Sequence, residues 1–249
     1  MNIENNSLRN IGSNIYSSLW NCFQENPFTF KEAKEKITQL NYNQIDNLKK
    51  EQLLFVFNKS EKESAFRLVP QIVFNFKKKY NIDLSWLNQG LYASLIFKLC
   101  AALKERFNNE LLSIGIYGSI SRNSAKLESD LDLFLVFREL SEGMNNRLKL
   151  LIEIENKKCV QEELNFLYER KIFPAVNYYF RKSSQLSINF FTIDIAFDLK
   201  ILYDTGVLKT FLSKINKKIK DHNIQRKYLE NSKYYLDLNI KFGDVFEFE

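Results

Sequence analysis

Apolar residues near the N-terminus recur at helical spacing and then give way to runs that are typical of strands. Four of them recur every four positions and predict a first helix: Ile11, Ile15, Leu19 and Phe23. Thr29 followed by Glu32 is a capping-box signature for a second helix, and Asn41 is the expected N-cap of a third. Two apolar runs, 53–57 and 65–69, flank a polar turn and predict a β-hairpin.

Three short helices followed by a hairpin with a charged tip resemble a winged helix-turn-helix domain, which we place at residues 1–75. In this interpretation residues 41–50 form the recognition helix and residues 58–63 form the wing. Winged helices bind nucleic acid but also dock proteins, and the sequence leaves both roles open. The lysines that favour nucleic acid are Lys49, Lys50, Lys59, Lys62 and Lys77 to Lys79.

The remaining chain, residues 76–249, alternates helical and strand patterns. Leucines from Leu84 to Leu103 predict one long amphipathic helix, and Val207 to Ile219 predict a closing helix. Between them we predict strands at 112–117, 130–137 and 173–180, helical sequence at 142–171, and an undecided stretch at 188–204. A terminal hairpin is predicted to pair 234–238 with 245–248 around Gly243. The pattern predicts an α+β or α/β domain with a small mixed sheet flanked by helices.

Composition narrows the class of protein. No run of 18 apolar residues occurs, and residues 1–10 lack a basic start and an apolar core, so we expect a soluble, cytoplasmic protein without membrane contact. Cys22, Cys100 and Cys159 are far apart and are expected to be reduced core thiols. His222 is the single histidine, which argues against a His-based triad or a multi-His metal site; we expect it to be solvated at a helix end.

The net charge of the chain indicates the kind of partner that it binds. The 249-residue chain has a formal net charge of +6, and its pI is about 9.0. A basic protein favours an acidic partner, nucleic acid or nucleotide above all.

The chemically informative stretch joins two predicted strands. A strand runs into Gly118-Ser119, ten residues follow, and the next strand begins with Asp130-Leu-Asp132. Residues i and i+2 of a strand point to one face, so the two carboxylates project together. Adjacent carboxylates repel each other unless a cation joins them, and Mg²⁺ or Mn²⁺ bound to oxygen ligands and phosphate suits this pair.

The residues before the carboxylates suit a phosphate group. Gly118 allows the backbone to approach a phosphate closely, and Ser119 offers N–H and hydroxyl donors at the start of a short predicted helix. Arg122 lies within reach of the same phosphates, although a surface salt bridge is an equally good interpretation of this side chain.

This stretch resembles the minimal nucleotidyltransferase pattern of the DNA polymerase β superfamily, in which Gly-Ser is followed after ten residues by Asp-x-Asp. Arg122 matches the arginine that often follows the serine by three positions in that pattern. Blocks at 193–204 and 233–245 are similar to archaeal proteins that fuse a winged helix to such a domain. The glycine usual after the arginine is Asn123, which also adopts left-handed backbone conformations.

The resemblance implies a third carboxylate on the next central strand, and this is where the sequence departs from the pattern. The strand candidate offers Asn177 at that place. Asp194 is the alternative third catalytic residue and metal ligand, if 190–195 is a strand; the resemblance favours a helix there. Asp198 is a weaker candidate.

The implied function is transfer of a nucleoside monophosphate from an NTP to an acceptor hydroxyl. Asp130, Asp132 and Asp194 would hold the metal, and Gly118, Ser119 and Arg122 would contact the nucleotide. The acceptor is a nucleic-acid 3′ end, a protein hydroxyl or a small molecule. The alternative is a non-catalytic nucleic-acid-binding regulator with a degenerate transferase domain, which Asn177 favours.

Overall fold

The computed structural model describes residues 12–59, 63–139, 143–229, 233–241 and 245–248. Ile11, Lys62, Glu142 and Gly243, which carry parts of the predictions above, lie outside the described residues. The chain forms two compact units. The first comprises the described residues up to Ala101 together with Lys158–Glu163, and the second comprises Ala102–Lys157 and the described residues from Leu164 onward.

The first unit begins with three helices. They are α1 (Gly12–Phe23), α2 (Phe30–Lys36) and α3 (Tyr42–Lys50). Both predicted caps are confirmed: Thr29 caps α2 in a capping box with Glu32, and Asn41 caps α3 in a capping box with Gln44. The apolar faces of these helices meet in one core that includes Leu19, Leu40, Ile45 and Leu48.

The predicted hairpin is also confirmed. Strands β2 (Leu54–Lys59) and β3 (Ser64–Leu68) pair antiparallel, and the short strand β1 (Phe28–Thr29) pairs with β3, which gives the order β1-β3-β2. Helix α4 (Gln71–Tyr80) follows. This order of elements is compatible with a winged helix, and the winged-helix assignment stays a prediction.

The single long helix predicted from Leu84 is wrong in its first third. Helix α5 (Ala93–Phe107) begins nine residues after Leu84 and follows a 3-10 turn at Gly90–Tyr92. Leu84 and Leu87 lie in irregular chain before α5, and both are buried. Their helical spacing therefore reflects burial in the core and not a helix. Gly90 packs so closely on Phe55 and Val56 that a Cβ atom would overlap them.

Residues 76–101 belong to the first unit, where Phe97 packs edge-on against Phe55. The predicted domains, 1–75 and 76–249, are meant as segments that fold independently, and this division stays a prediction.

A four-stranded mixed sheet organises the second unit. Its strands are β4 (Leu111–Tyr117), β5 (Leu131–Phe137), β6 (Val176–Lys182) and β7 (Lys200–Asp204), in the order β6-β5-β4-β7. Strand β5 is antiparallel to β4 and parallel to β6, and β7 is antiparallel to β4. The predicted small mixed sheet is therefore confirmed.

The helices in this part of the chain include α6 (Gly118–Ser121), α7 (Met144–Glu155), α8 (Lys158–Tyr168), α9 (Phe190–Ala196) and α10 (Val207–Asp221), and the first six residues of α8 belong to the first unit. Phe134 and Val136 on one face of β5 share a buried cluster with apolar residues of α9 and α10. The undecided stretch at 188–204 is thus a helix followed by a strand. In the described part of the chain, no helix is long and apolar enough to cross a bilayer.

The predicted terminal hairpin pairs the wrong partners. Strand β9 (Tyr234–Asp237) is antiparallel to β8 (Gln225–Tyr228), whereas the described residues 245–248 are not in a strand. Strand β8 is mostly polar, and therefore lacks the apolar alternation that marks a strand in a sequence.

The expectation of three core thiols is confirmed for one cysteine. Cys100 is buried on α5, and burial raises the pKa of its thiol to about 12. Cys22 and Cys159 are exposed on α1 and α8, and all three are free thiols. His222 is exposed at the end of α10, as predicted.

Candidate active site

The candidate site lies where β5 begins. Asp130 is exposed just before the strand, and Asp132 is partly buried as its second residue. Asp132 stands opposite Tyr117 on β4 and Asn177 on β6. Side chains alternate along a strand, so Asp132 shares its face with Phe134, while Leu131 and Leu133 point to the other face. The strand periodicity therefore brings the two carboxylates to one place.

Asn177 lies between the two carboxylates. Its Nδ2 donates to Asp130 Oδ2 at 3.0 Å and to Asp132 Oδ1 at 3.1 Å. Burial and the neighbouring Asp130 raise the pKa of Asp132, while the Asn177 hydrogen bond and Arg122 partly oppose this shift. The third position next to the pair is thus held by a neutral amide, one of the two possibilities that the sequence left open.

Gly118 is required for a reason that the sequence did not reveal. Its φ is +79°, in the region that favours glycine, and a Cβ atom built on it would overlap the Asp132 carboxylate. The backbone at Gly118 is therefore packed directly against Asp132. Any side chain at this position would displace Asp132.

The turn after β4 is a single helical turn, α6, that begins at Gly118. The Ser119 carbonyl accepts the Ser124 N–H at 2.9 Å, and Ser121 Oγ donates to the Gly118 carbonyl at 2.8 Å. Asn123 has a φ of +57°, which confirms that asparagine takes the left-handed conformation here. These contacts hold Ser119 beside the carboxylates on a short, closed turn.

Arg122 leaves this turn toward α9. Its Nη1 donates to Asp198 Oδ2 at 2.7 Å, in an ion pair whose arginine side chain is 30% exposed. Arg122 also lies close enough to Asp132 to lower its pKa. The salt bridge considered for Arg122 is therefore present, and the guanidinium remains next to the acidic site.

Asp194, the candidate third metal ligand, is engaged with other partners, and its role as a ligand stays a prediction. It lies on α9, where Oδ1 accepts a hydrogen bond from Arg226 Nη2 at 2.8 Å and Oδ2 accepts one from the Tyr234 hydroxyl at 3.0 Å. Within the described residues, no three His, Cys, Asp or Glu side chains are placed to hold a metal together. A helix at 190–196 directs Asp194 to the C-terminal hairpin formed by β8 and β9, whereas only a strand would have aligned it with β5.

Sequence reasoning missed Arg226, which organises this neighbourhood. Its side chain is only 4% exposed; Nη1 donates to Asp198 Oδ2 at 2.8 Å, and Nη2 donates to Asp194. The guanidinium also lies over the Tyr234 ring, 4.2 Å from its centroid. Burial lowers the pKa of Arg226, but the two aspartates outweigh it and the net pKa is raised. A lone arginine in a polar strand carries no sequence signal of this role.

The donor set at the head of β5 suits a hard divalent cation. Asp130 and Asp132 supply carboxylate oxygens, and rotation of the Asn177 amide would present its carbonyl oxygen to the same point. With the amide oriented as it is, its Nδ2 offsets the repulsion between the carboxylates. The residues therefore fit Mg²⁺ or Mn²⁺, with one neutral ligand where a third carboxylate was expected.

The lysines that suggested nucleic-acid binding lie in the first unit. Lys49 pairs with Asp46 at 2.7 Å, while Lys50 and Lys59 are exposed. Lys77 donates to the Glu51 carbonyl at 2.6 Å. Of the lysines in this set that the structure describes, Lys49 and Lys77 are engaged within the protein, and the others are exposed: Lys50, Lys59, Lys78 and Lys79.

Comparison with known proteins bears on the second unit. No curated protein matches the chain. The segment that contains β4, β5, β6 and the Gly118–Asp132 contact, residues 96–203, matches the family model of the nucleotidyltransferase domain, which belongs to the DNA polymerase β superfamily.

Proposed function

We propose that this protein transfers a nucleoside monophosphate from an NTP to an acceptor hydroxyl, with release of pyrophosphate. The observation that carries the proposal is the convergence of Asp130 and Asp132 on the Asn177 amide, with Asp132 directly against the backbone of Gly118. A carboxylate pair beside a glycine turn suits a divalent cation that also binds phosphate, as nucleotidyl transfer requires.

Each residue has a definite task in this proposal. Asp130 and Asp132 hold a divalent cation, which when bound neutralises phosphate charge and lowers the pKa of the acceptor hydroxyl. The backbone at Gly118 and Ser119, with the Ser119 hydroxyl, orients the triphosphate. Arg122, held by Asp198, faces the negative charge that builds on the leaving pyrophosphate.

The acceptor is a nucleic-acid 3′ end or a protein hydroxyl, and the basic first unit favours nucleic acid. Incubation of the protein with each labelled NTP, Mg²⁺ or Mn²⁺ and total cell extract identifies the acceptor class. Label recovered in RNA, DNA, protein or small molecules gives the answer directly.

The test of the site is the double variant Asp130→Asn with Asp132→Asn. Transfer should fall at least about a thousandfold, because the metal supplies several kcal/mol of transition-state stabilisation and loses both anionic ligands. Thermal unfolding should stay close to that of the parent, since the change removes repulsion between the two carboxylates.

The matched control is Asp221→Asn, the same chemical change at an exposed position at the end of α10. It should transfer like the parent. Equal turnover by the double variant and the parent would end the proposal at this site.

One observation favours a second candidate. Asn177 holds the third position, and Asp194 is bound to Arg226 and Tyr234. A two-carboxylate site of this kind also suits a nucleic-acid-binding regulator whose transferase domain has lost its activity. Absence of transfer with every NTP, together with tight binding of nucleic acid, would favour the regulator.

A further inference from the structure

A second concave site lies beside the Arg122–Asp198 ion pair. It is a pocket of about 420 Å³ formed by α9 and the C-terminal hairpin, and it is lined by Phe197, Asp198, Ile224, Gln225, Arg226 and Tyr228. Ile224 is buried, whereas the two aromatic rings remain open to water: Tyr228 is 65% exposed and Phe197 is 38% exposed. Exposed rings around a concave surface are a common way to hold a flat ligand.

Asp198 supplies the pocket with a hydrogen-bond acceptor, whereas Arg226 is almost fully buried and its Nε atom is closed to solvent. Asp198 accepts both Arg122 and Arg226 on Oδ2, and the contacts described above leave Oδ1 without a donor. The Oδ1 oxygen of Asp198, on the pocket wall, can therefore accept a hydrogen bond from an N–H group of a ligand.

Asp198 connects the pocket to the neighbourhood of the acidic pair, Asp130 and Asp132. Asp198 forms part of the pocket wall and also accepts the hydrogen bond from Arg122, the residue that stands next to Asp132. One arginine therefore separates the aromatic pocket from the site where the triphosphate is expected. Asp198 thus joins the pocket to the arginine that is expected to contact the phosphates.

The geometry points to this pocket as the site of the nucleobase of the NTP, stacked on Tyr228 and Phe197 and hydrogen-bonded by Asp198. This inference rests on the proposed nucleotidyl transfer for the identity of the ligand. Purines should bind more tightly than pyrimidines, because a double ring covers more of the two aromatic faces.

Calorimetric titration of the 249-residue chain with three probes in Mg²⁺ tests the pocket: ATP, CTP and inorganic tripolyphosphate. The parent should bind ATP more tightly than tripolyphosphate, and more tightly than CTP. Tyr228→Leu should weaken ATP binding at least about fivefold, the lower limit for loss of one base–aromatic stack, and leave tripolyphosphate unchanged. Tyr228→Phe keeps the ring and should bind ATP like the parent.

Tyr235→Leu is the matched control. Tyr235 is 48% exposed on β9 opposite Lys227, so it faces away from Arg226 and Tyr228 on the same hairpin. It should leave ATP binding unchanged. Phe197 lines the pocket together with Tyr228, so Phe197→Leu should weaken ATP binding as Tyr228→Leu does.

The outcomes separate this inference from the proposed function. Parent-like ATP affinity in both Tyr228→Leu and Phe197→Leu, or equal affinity of the parent for ATP and tripolyphosphate, would overturn the pocket and leave the transferase proposal standing. ATP binding that depends on Tyr228 in a protein without transfer activity would support the pocket and reject the transferase. No binding of any probe would reject both.

Discussion

At the scale of single residues, the candidate site differs from the expected three-carboxylate arrangement by one side chain. Asn177 aligns with Asp132 in the β5–β6 register and donates to both aspartates. It thereby relieves the repulsion that a third carboxylate would have increased. The consequence is an acidic pair that is stable without a cation but has less charge with which to attract one.

We therefore expect Asn177→Asp to strengthen Mg²⁺ binding at least about tenfold, because an added carboxylate beside a divalent cation is worth more than about 1.4 kcal/mol. Without metal, the same variant should unfold at a lower temperature than the parent, since three carboxylates then repel one another. Titration with Mg²⁺ and thermal unfolding with and without EDTA measure both effects.

Asn216→Asp, at an exposed position on α10, makes the same substitution away from the site and should change neither quantity. Unchanged Mg²⁺ affinity in Asn177→Asp would show that no cation binds between Asp130 and Asp132.

At the scale of elements, capping motifs predicted where helices begin better than the spacing of apolar residues did. The capping boxes at Thr29 and Asn41 place α2 and α3 correctly, because a cap specifies individual backbone hydrogen bonds. Leu84 and Leu87 have helical spacing but lie in irregular chain before α5. Helix α3 and the hairpin after it are the elements that would contact nucleic acid in the winged-helix interpretation.

If those elements bind nucleic acid, replacing Lys49, Lys50, Lys59 and Lys62 with alanine should lower the salt dependence of binding. The log–log slope should fall in magnitude by about 2 to 4, since each neutralised phosphate contributes about 0.9 on duplex DNA and about 0.7 on single strands. Lys49 already pairs with Asp46, so its contribution should be the smallest among the described lysines. Filter binding or fluorescence anisotropy at several salt concentrations gives the slope.

A variant with Lys209, Lys214, Lys217 and Lys220 on α10 changed to alanine alters the net charge equally and serves as the control. A reduced slope in this variant instead would locate the nucleic-acid surface on α10. An unchanged slope in both would leave the first unit as a protein-docking module.

At the scale of the whole molecule, a buried cluster of opposite charges is found in each compact unit. In the second unit Arg226 joins Asp194 and Asp198 beside the candidate site. In the first unit Glu163, whose side chain is 0% exposed, receives Arg67 at 2.5 Å and Lys98 at 2.9 Å, and both cations also reach Glu25. Burial by itself would raise the pKa of Glu163, but Arg67 and Lys98 hold it below its ordinary value.

Glu163→Gln should destabilise the protein by about 3–5 kcal/mol, because it leaves two buried cations with only the partly exposed Glu25. The folded-state pKa of Glu163 is depressed, so its contribution is present above the unfolded pKa of about 4.3 and is lost as pH falls through the lower folded value. The parent should therefore lose stability toward acid more steeply than the variant. Urea unfolding at pH 7 and at pH 3–4 measures both effects.

Glu162→Gln, one residue earlier on the same helix, changes an exposed glutamate that is 3.8 Å from Lys158 and should cost less than about 1 kcal/mol. Equal stability of Glu163→Gln and Glu162→Gln would contradict a structural role for the buried cluster.

The sequence alone was sufficient for the features that depend on neighbours along the chain. The spacing of Gly118, Asp130 and Asp132 predicted a strand, a turn and two carboxylates on one face, because strand periodicity and turn chemistry are local. The same holds for the helix caps and for the left-handed conformation of Asn123.

Tertiary structure decided every feature that joins distant segments. The parallel register of β5 and β6 places Asn177, and not Asp194, beside the acidic pair, and no local pattern contains that register. Likewise, β9 pairs with the polar strand β8, which brings Arg226 onto Asp194 and Asp198. Local hydrogen bonds and periodicity are encoded by adjacent residues, whereas the partner of a buried charge depends on which strands pair and which helix covers them.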